Sequence, residues 1–394
     1  MSDPLRDAEW LNRPEVQAIF AALDGDRRRT RAVGGVVRDT IMGRPHSGDI
    51  DMATELLPDE VMARAKAADI ACYPTGIDHG TVTLRLGETL AEVTTLRRDV
   101  ETDGRHAVVA FGTDWVEDAG RRDFTLNALY CAADGTLYDP LNGVEDARNG
   151  TIRFIGDPAR RIAEDGLRVY RFFRLSASHG GERLDPDGLT ACAAAVGQLA
   201  HLSRERVGSE MLRMLALPKI ALTLAVMSEI RLLPLGDATQ RALVAYESIG
   251  GQSPATRLAL IGGDDLDALQ SAWRLSNEML ATVRAITRAA ELLSDDRTAE
   301  AAYRHGEQAV EGLAAAASLN HWGPARLAET ARVLGATVVP PFPVTGHDLA
   351  GLGMAPGPAL GQELVRLEGA WIESGFTLGK AELLALVNAG SKSR

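Results

Sequence analysis

The sequence predicts a small mixed α/β head followed by a long, nearly all-helical remainder. Two β-branched segments, Thr81–Leu86 and Leu90–Leu96, alternate in polarity as paired strands do. Aromatics are scarce, at 5%, while alanine and leucine are plentiful, which favours helix. From Pro158 onward the helical patterning is almost continuous, with proline and glycine as punctuation. At 394 residues the chain exceeds one compact domain, so roughly two to four units are expected.

The elements follow in order. A helix from about Pro14 to Leu23 precedes a basic turn, Asp26-Arg27-Arg28-Arg29, and a short strand ending at Val33. A Gly34-Gly35 turn opens a helix through Met42, and a Gly/Pro/His loop delivers the strand that carries Asp49 and Asp51. Pro58 opens a helix to about Ala68, with Asp59 and Glu60 in the first turn, where the helix dipole favours negative charge. With the paired strands these make a head over residues 1–137. Breaks near Leu184–Gly188, Pro218, Pro234 and Ser253-Pro254, then Pro340-Pro341-Phe342-Pro343, divide the rest. The expected divisions are a helical neck at 138–215, a body at 216–338 and a tail at 339–394. The last residues, Ser391–Arg394, are expected to fray.

Composition narrows the function classes. A net charge of −12 provides no whole-protein basic footprint for nucleic acid, so an RNA partner needs a local basic lane. Cys72, Cys131 and Cys192 are far apart and form no C-x-x-C pair, which points to buried free thiols in a reducing compartment rather than zinc or disulfides. The start, Met1-Ser2-Asp3-Pro4-Leu5-Arg6, lacks a charged-then-apolar leader, and no apolar run reaches membrane-spanning length. A cytoplasmic protein with no membrane association is expected.

Asp49 and Asp51 carry the first chemical signal. Side chains at i and i+2 of a strand share a face, and two carboxylates so placed repel unless a cation sits between them. Mg²⁺ fits, because it binds through one or two carboxylates plus substrate phosphates. Gly34 and Gly35 let the backbone approach a triphosphate closely, and the helix after them offers N–H groups. Either feature alone is common surface grammar; together, with Arg38-Asp39 between them, they describe a metal-dependent phosphoryl or nucleotidyl transfer site. Glu92 completes a carboxylate cluster if its strand neighbours theirs, holding a second ion or taking a proton from an attacking hydroxyl. An ordinary solvent-facing glutamate is an equal reading.

Two further strings bear on substrate. In Arg121-Arg122-Asp123-Phe124-Thr125-Leu126-Asn127-Ala128, adjacent arginines suit a polyphosphate, because a guanidinium fork grips its oxygens in pairs. Asp123 is a candidate acceptor for a ribose hydroxyl; a helix cap with solvated arginines is the plainer alternative. In Glu164-Asp165-Gly166-Leu167-Arg168, read as one helix, Asp165 and Arg168 are i,i+3 neighbours able to pair and to present acceptor and donors to a base edge. Arg171 and Arg174 extend the same face, which otherwise reads as a solvated basic stripe.

Gly-Gly-Val-Val-Arg-Asp … Asp-Ile-Asp-Met-Ala-Thr, the R-R-D-F-T-x-N-A string and E-D-x-x-R together resemble the signatures of the CCA-adding enzyme and poly(A) polymerase family, class II nucleotidyltransferases of bacterial type. Tyr138-Asp139-Pro140-Leu141-Asn142-Gly143 is similar to that family's D-P-x-x-G turn between head and neck. Arg204-Glu205-Arg206 … Glu210 resembles its R-x-R-x-x-x-E neck segment, with a glutamate between the arginines, and is assigned a structural part. Residues 344–358 resemble the tail string G-x-D-L … G-x-x-P-G-P, so His347-Asp348 is read as a loop or cap rather than a phosphohydrolase centre. The loop Arg98-Asp99 … Gly104-Arg105-His106-Ala107 lacks the family's proline.

The resemblance implies a nucleotidyltransferase-type mixed sheet and transfer of CTP or ATP onto the 3′-hydroxyl of tRNA with release of pyrophosphate. Asp49 and Asp51 would bind two Mg²⁺ ions. Gly34, Gly35, Arg38 and Arg122 would hold the triphosphate, and Asp123 the ribose. Asp165 and Arg168 would select the base, with Arg171 and Arg174 as further nucleotide contacts. The alternatives are a poly(A) polymerase, an enzyme adding only CC or only A, and, in another class, a non-catalytic RNA-binding protein.

Overall fold

The computed structural model describes residues 4–46, 49–103, 106–263 and 265–390. Gly48 ahead of the D-x-D strand, Gly104-Arg105 of the proline-free loop and the terminus at 391–394 therefore lie outside the described residues. The chain divides into two compact units: Met1–Met214 with Val226–Pro234, and Leu215–Ala225 with Leu235–Arg394.

The first unit is built on a mixed sheet. Its strands are β1 (Thr30–Val33), β2 (Ile50–Thr54), β3 (Ala71–Gly76), β4 (Thr81–Leu86), β5 (Thr89–Thr95), β8 (Tyr130–Cys131) and β9 (Leu137–Tyr138), in the order β3-β4-β5-β2-β1-β8-β9. A separate hairpin pairs β6 (Arg97–Asp103) with β7 (His106–Phe111). β4 and β5 pair antiparallel, as their alternation predicts. The central pair β2–β5 is parallel and sets Asp51 directly opposite Glu92. Alternation then decides the faces: Ile50 and Met52 are buried while Asp51 and Glu92 are exposed.

Helices α1 (Pro14–Ala22), α2 (Gly35–Ile41), α3 (Pro58–Ala67) and α4 (Trp115–Gly120) accompany the sheet. Against one side pack Val33, Ala53, Leu96, Trp115, Ala119, Ala128, Tyr130 and Ile155. Trp115 and Tyr130 meet edge-on, with ring centroids 5.4 Å apart. Helices α5 (Gly143–Asn149), α6 (Pro158–Glu164), α7 (Leu167–Gly180), α8 (Pro186–Ala195) and α9 (Arg204–Leu215) form the neck range. The D-P-x-x-G turn has a clear mechanism. Asp139 accepts hydrogen bonds from the N–H groups of Gly143 (2.8 Å) and Val144 (3.0 Å), capping α5. Gly143 is required there because a Cβ would run into the Thr125 carbonyl.

The E-D-x-x-R segment departs from its sequence reading. It is not one helix: α6 ends at Glu164, Asp165 is extended (φ −151°), and α7 begins at Leu167. Asp165 and Arg168 consequently do not form the expected i,i+3 ion pair, because that spacing brings side chains together only on a continuous helix.

The second unit is helical among the described residues, from α10 (Ala221–Glu229), which crosses the boundary, through α11 (Asp237–Ser248), α12 (Pro254–Gly262), α13 (Leu266–Trp273), α14 (Asn277–Ser294), α15 (Thr298–His305), α16 (Gln308–Leu319) and α17 (Pro324–Ala336) to α18 (Gly346–Gly351), α19 (Pro358–Glu373) and α20 (Lys380–Gly390). The proline cluster at 340–343 lies between α17 and α18, as punctuation should. His347-Asp348 is a helix start: Asp348 accepts from the N–H and hydroxyl of Thr345 in a capping box and pairs with Lys380 at 2.7 Å. Arg257 is fully buried and donates to the carbonyls of Leu215 and Pro218 and to Glu247, which itself caps the N–H groups of Ile220 and Ala221. Among the described residues, no helix is long and apolar enough to cross a membrane.

Two predictions follow from packing. Arg257→Ala strands Glu247 and several carbonyls, and should lower stability by about 3–5 kcal/mol in urea unfolding. None of the three cysteines is in a disulfide; Cys131 and Cys192 are buried, and burial pushes the Cys192 thiol up to about 12. Alkylation of native protein at pH 8 should therefore modify Cys72 alone, and all three only after denaturation.

Candidate active site

The site begins where β1 turns into α2. Gly34 adopts φ 74°, ψ −124°, a conformation essentially reserved for glycine, and its N–H donates to the Leu129 carbonyl at 3.1 Å. That turn brings the chain back beside β2 and places Arg38 in the first turns of α2. Arg38 is buried, donating through Nε to Asp39 (2.8 Å) and through Nη1 to the Asn127 side chain (2.7 Å). Its Nη2 remains close to Gly35. Asp39 also meets His179 of α7 at 3.1 Å, which fastens α2 to the neck.

Asp51 stands opposite Glu92 across the β2–β5 pair, and Asp49 immediately precedes β2 rather than lying within it. Partial burial, and next Glu92 beside it, raise the Asp51 carboxyl above its ordinary range; Asp49 adds to this, while Arg122 and His46 oppose it. A carboxyl strained in this way gains most from a cation, and the donor set is hard oxygen, which suits Mg²⁺. Among the described residues, no group of three His, Cys, Asp or Glu side chains stands gathered as a ready-made cage.

Arg122 is held by partners that no sequence motif advertised. Asp118, only 1% exposed, accepts from Arg121 (2.8 Å), from Arg122 (3.2 Å) and from the Tyr130 hydroxyl (2.9 Å). Burial works to raise the Asp118 carboxyl, but Arg122 and Arg121 outweigh it and hold it below the usual range. The available clue was spacing: Asp118 stands three and four residues before the two arginines.

Asp123 is 8% exposed and already saturated. One oxygen accepts from the N–H of Phe124 (2.9 Å) and from Asn127 (3.0 Å), and the other from Arg171 Nε (2.7 Å) and Nη2 (2.5 Å). A carboxylate has about four acceptor positions. Asp123 anchors Arg171 in this structure, so a ribose hydroxyl would have to displace one of these donors. Behind this pair the rings of Phe124 and Phe154 meet tilted at 4.8 Å and those of Phe154 and Phe172 stack at 5.5 Å, packing α7 against the Phe124–Phe154 bridge.

In the E-D-x-x-R segment, Arg168 pairs with Glu164 (2.7 Å) and donates to the carbonyls of Arg161 and Arg121. Asp165 pairs with Arg206 of α9 at 2.8 Å. Arg174 pairs with buried Glu210 at 2.6 Å, and Arg171 lies 3.9 Å from the same glutamate. The R-x-R-x-x-x-E segment thus supplies direct partners to the candidate base-reading residues.

Comparison with known proteins bears on this arrangement. Residues 30–153 match the poly A polymerase head domain. The chain is 31% identical to human CCA tRNA nucleotidyltransferase 1, mitochondrial, over 96% of its length and 92% of the relative's. It is 32% identical to the CCA-adding enzyme of Lacticaseibacillus paracasei, over 98% and 99% of the two chains. The chain belongs to the CCA tRNA nucleotidyltransferase family. Among solved structures, the Bacillus stearothermophilus CCA-adding enzyme in complex with CTP superposes with a TM-score of 0.79 at 28% identity, covering 97% of this chain and 100% of that one. The Thermotoga maritima CCA-adding enzyme complexed with tRNA shares the fold, with a TM-score of 0.66 at 18% identity over 95% and 94%. As a CCA tRNA nucleotidyltransferase by family, the chain has its mixed-sheet head and helical remainder where its relatives have theirs.

Removing the anchor of the paired arginines should act on nucleotide binding. Asp118→Asn keeps the shape but weakens three charge-assisted or hydroxyl bonds. It should raise KM for CTP by about tenfold, equivalent to about 1.4 kcal/mol, measured by steady-state addition. The carboxyl's folded pKa lies below its unfolded value. Its contribution to stability is therefore present above pH ~4 and is lost as pH falls through the folded pKa, a loss that the Asn variant should not show in acid titration.

Proposed function

We propose that this chain completes the 3′ end of tRNA, adding C, C and A from CTP and ATP without a template and releasing pyrophosphate at each step. The reading rests above all on the carboxylates Asp49, Asp51 and Glu92 set against Arg122, in a chain that aligns almost end to end with CCA tRNA nucleotidyltransferases. Asp49 and Asp51 would hold a pair of Mg²⁺ ions together with the triphosphate. Bound there, Mg²⁺ supplies Lewis-acid activation of the 3′-hydroxyl and neutralises charge on the leaving pyrophosphate.

The chain's own groups do the rest. Gly34 and Gly35 admit the triphosphate to the backbone, and Arg38 and Arg122 grip its oxygens. Glu92 would hold the second ion or take the proton of the 3′-hydroxyl. Asp165 and Arg168 exchange their present partners, Arg206 and Glu164, for the pairing edge of the base. Arg171 and Arg174 flank the bound nucleotide. The neck at 138–215, the body at 216–338 and the tail at 339–394 would offer tRNA local arginine lanes, so binding weakens with salt. Three free thiols suit a reducing, cytoplasmic setting.

The match to a poly A polymerase head keeps polyadenylation as the second reading. Purified protein with Mg²⁺ and tRNA transcripts lacking the CCA end, given CTP and ATP singly and together, decides. Growth by C, C and A that then stops is expected. A long adenosine ladder would mean a poly(A) polymerase, and extension by one nucleotide class a CC- or A-adding enzyme. Asp49→Ala and Asp51→Ala should each lower the rate on the order of 10³-fold; full activity in both would leave only a non-catalytic RNA-binding role.

A further inference from the structure

His46 lies on the Gly/Pro/His loop that delivers Asp49, and the proposed chemistry gives it no part. The two aspartates of the D-x-D pair are held differently. The β2–β5 ladder begins at Ile50, opposite Ala91, and fixes Asp51 against Glu92. Asp49 stands one residue ahead of that ladder and is exposed. Its main chain meets the imidazole of His46, whose Nε2 lies 3.3 Å from the Asp49 carbonyl oxygen. The other ring nitrogen, Nδ1, stands 3.6 Å from one carboxylate oxygen of Asp39. The second oxygen of Asp39 accepts from Arg38 Nε at 2.8 Å and meets His179 Nε2 at 3.1 Å. The His46 side chain is only 18% exposed, so the ring is wedged between a fastened carboxylate and Asp49.

We infer that His46 is a positioning residue that holds Asp49, the first carboxylate of the D-x-D pair, in place for the metal-bound nucleotide. The inference rests on the proposed function, in which Asp49 and Asp51 hold Mg²⁺ with the triphosphate. A carbonyl oxygen can only accept, so the contact to Asp49 requires a proton on Nε2. Nδ1 then faces Asp39, which aims the donating edge of the ring at Asp49. Asp39 is tied to Arg38 on its own helix and to His179 on α7, so the imidazole passes a rigid support to a residue outside the strand pairing. Groups that orient a metal ligand from behind typically change metal affinity by about 10–100-fold when removed. Asp51 draws its position from the sheet, so loss of His46 loosens one carboxylate and spares the other.

The test measures CTP binding by calorimetry without tRNA, in Mg²⁺ and in EDTA, on the full chain and its His46→Ala, His46→Asn and His46→Gln variants. Wild-type protein should bind CTP more tightly in Mg²⁺ than in EDTA. His46→Ala should lose about tenfold of that gain, with binding in EDTA and melting temperature unchanged. In tRNA extension it should need about ten times more Mg²⁺ for half-maximal rate. Gln can place an amide N–H where Nε2 stands and should restore both readouts; Asn reaches only the Nδ1 position and should not. A wild-type Mg²⁺ dependence in His46→Ala would overturn the inference. Equal losses in the Gln and Asn variants would overturn it too, since the ring would then act by packing alone. If His46→Ala does not fold, the comparison of Gln with Asn decides, and if no variant folds the inference falls. Failure of the proposed function is distinct, because the unmutated chain would then extend no tRNA.

Discussion

A guanidinium withdrawn from water has to keep a partner, and the first unit is arranged around that requirement. Nearly all of the chain's 42 basic residues are arginine, whose rigid fork can serve two acceptors at once. Arg122 spans Asp118 and Tyr130, Arg171 spans Asp123 and the neighbourhood of Glu210, and Arg168 spans Glu164 and two carbonyls. Some of these contacts are local, but Arg171 to Asp123 and Arg168 to the Arg121 carbonyl cross 48 and 47 positions, tying head to neck while both arginines remain charged. Burial alone would lower the Arg171 and Arg122 pKa; the carboxylates and the phenol beside them reverse that. The network therefore fixes both geometry and charge state with one set of contacts.

The opposing arrangement lies on the sheet. Parallel pairing of β2 with β5 puts Asp51 against Glu92, and Asp49 lies just ahead of β2. Burial first, and then repulsion from Glu92 and Asp49, raise the Asp51 carboxyl above its ordinary range. Such a cluster contributes nothing to the fold. Its retention makes physical sense only where charge is to be delivered by a ligand, and Arg122, locked to Asp118 nearby, is the chain's own partial counterweight.

Legibility from sequence followed the range of the interactions. The Gly-Gly turn, the D-x-D strand, α3 with Pro58 and the β4–β5 pair are local patterns, and each stands where its residues indicate. β8 and β9, of two residues each, are too short to show a period. β3 contains Pro74, which argues against a strand and is tolerated here because β3 lies at the sheet edge. Arg206 reaching Asp165 across 41 positions, and Asp118 beneath the paired arginines, are tertiary choices. No window of sequence contains the first, and the second hides among ordinary helix-surface spacings. The broken helix at Asp165 is the instructive failure: Gly166 follows it directly, and glycine's cost inside a helix was the available warning.

The acidic balance of the chain, −12, is compatible with anionic substrates because the arginines at the site are held by carboxylates. Those carboxylates fix the guanidiniums in place and partly neutralise them, which tempers their attraction for polyanions in general. A nucleoside triphosphate competes differently from a lone phosphate. It offers several paired oxygens to Arg38 and Arg122 at once, and it brings cations that relieve the repulsion among Asp49, Asp51 and Glu92. Each half of that exchange makes the other more favourable. Binding of nucleotide and of metal is therefore coupled by the site's own electrostatics, and selectivity for a polyphosphate emerges without a strongly basic pocket.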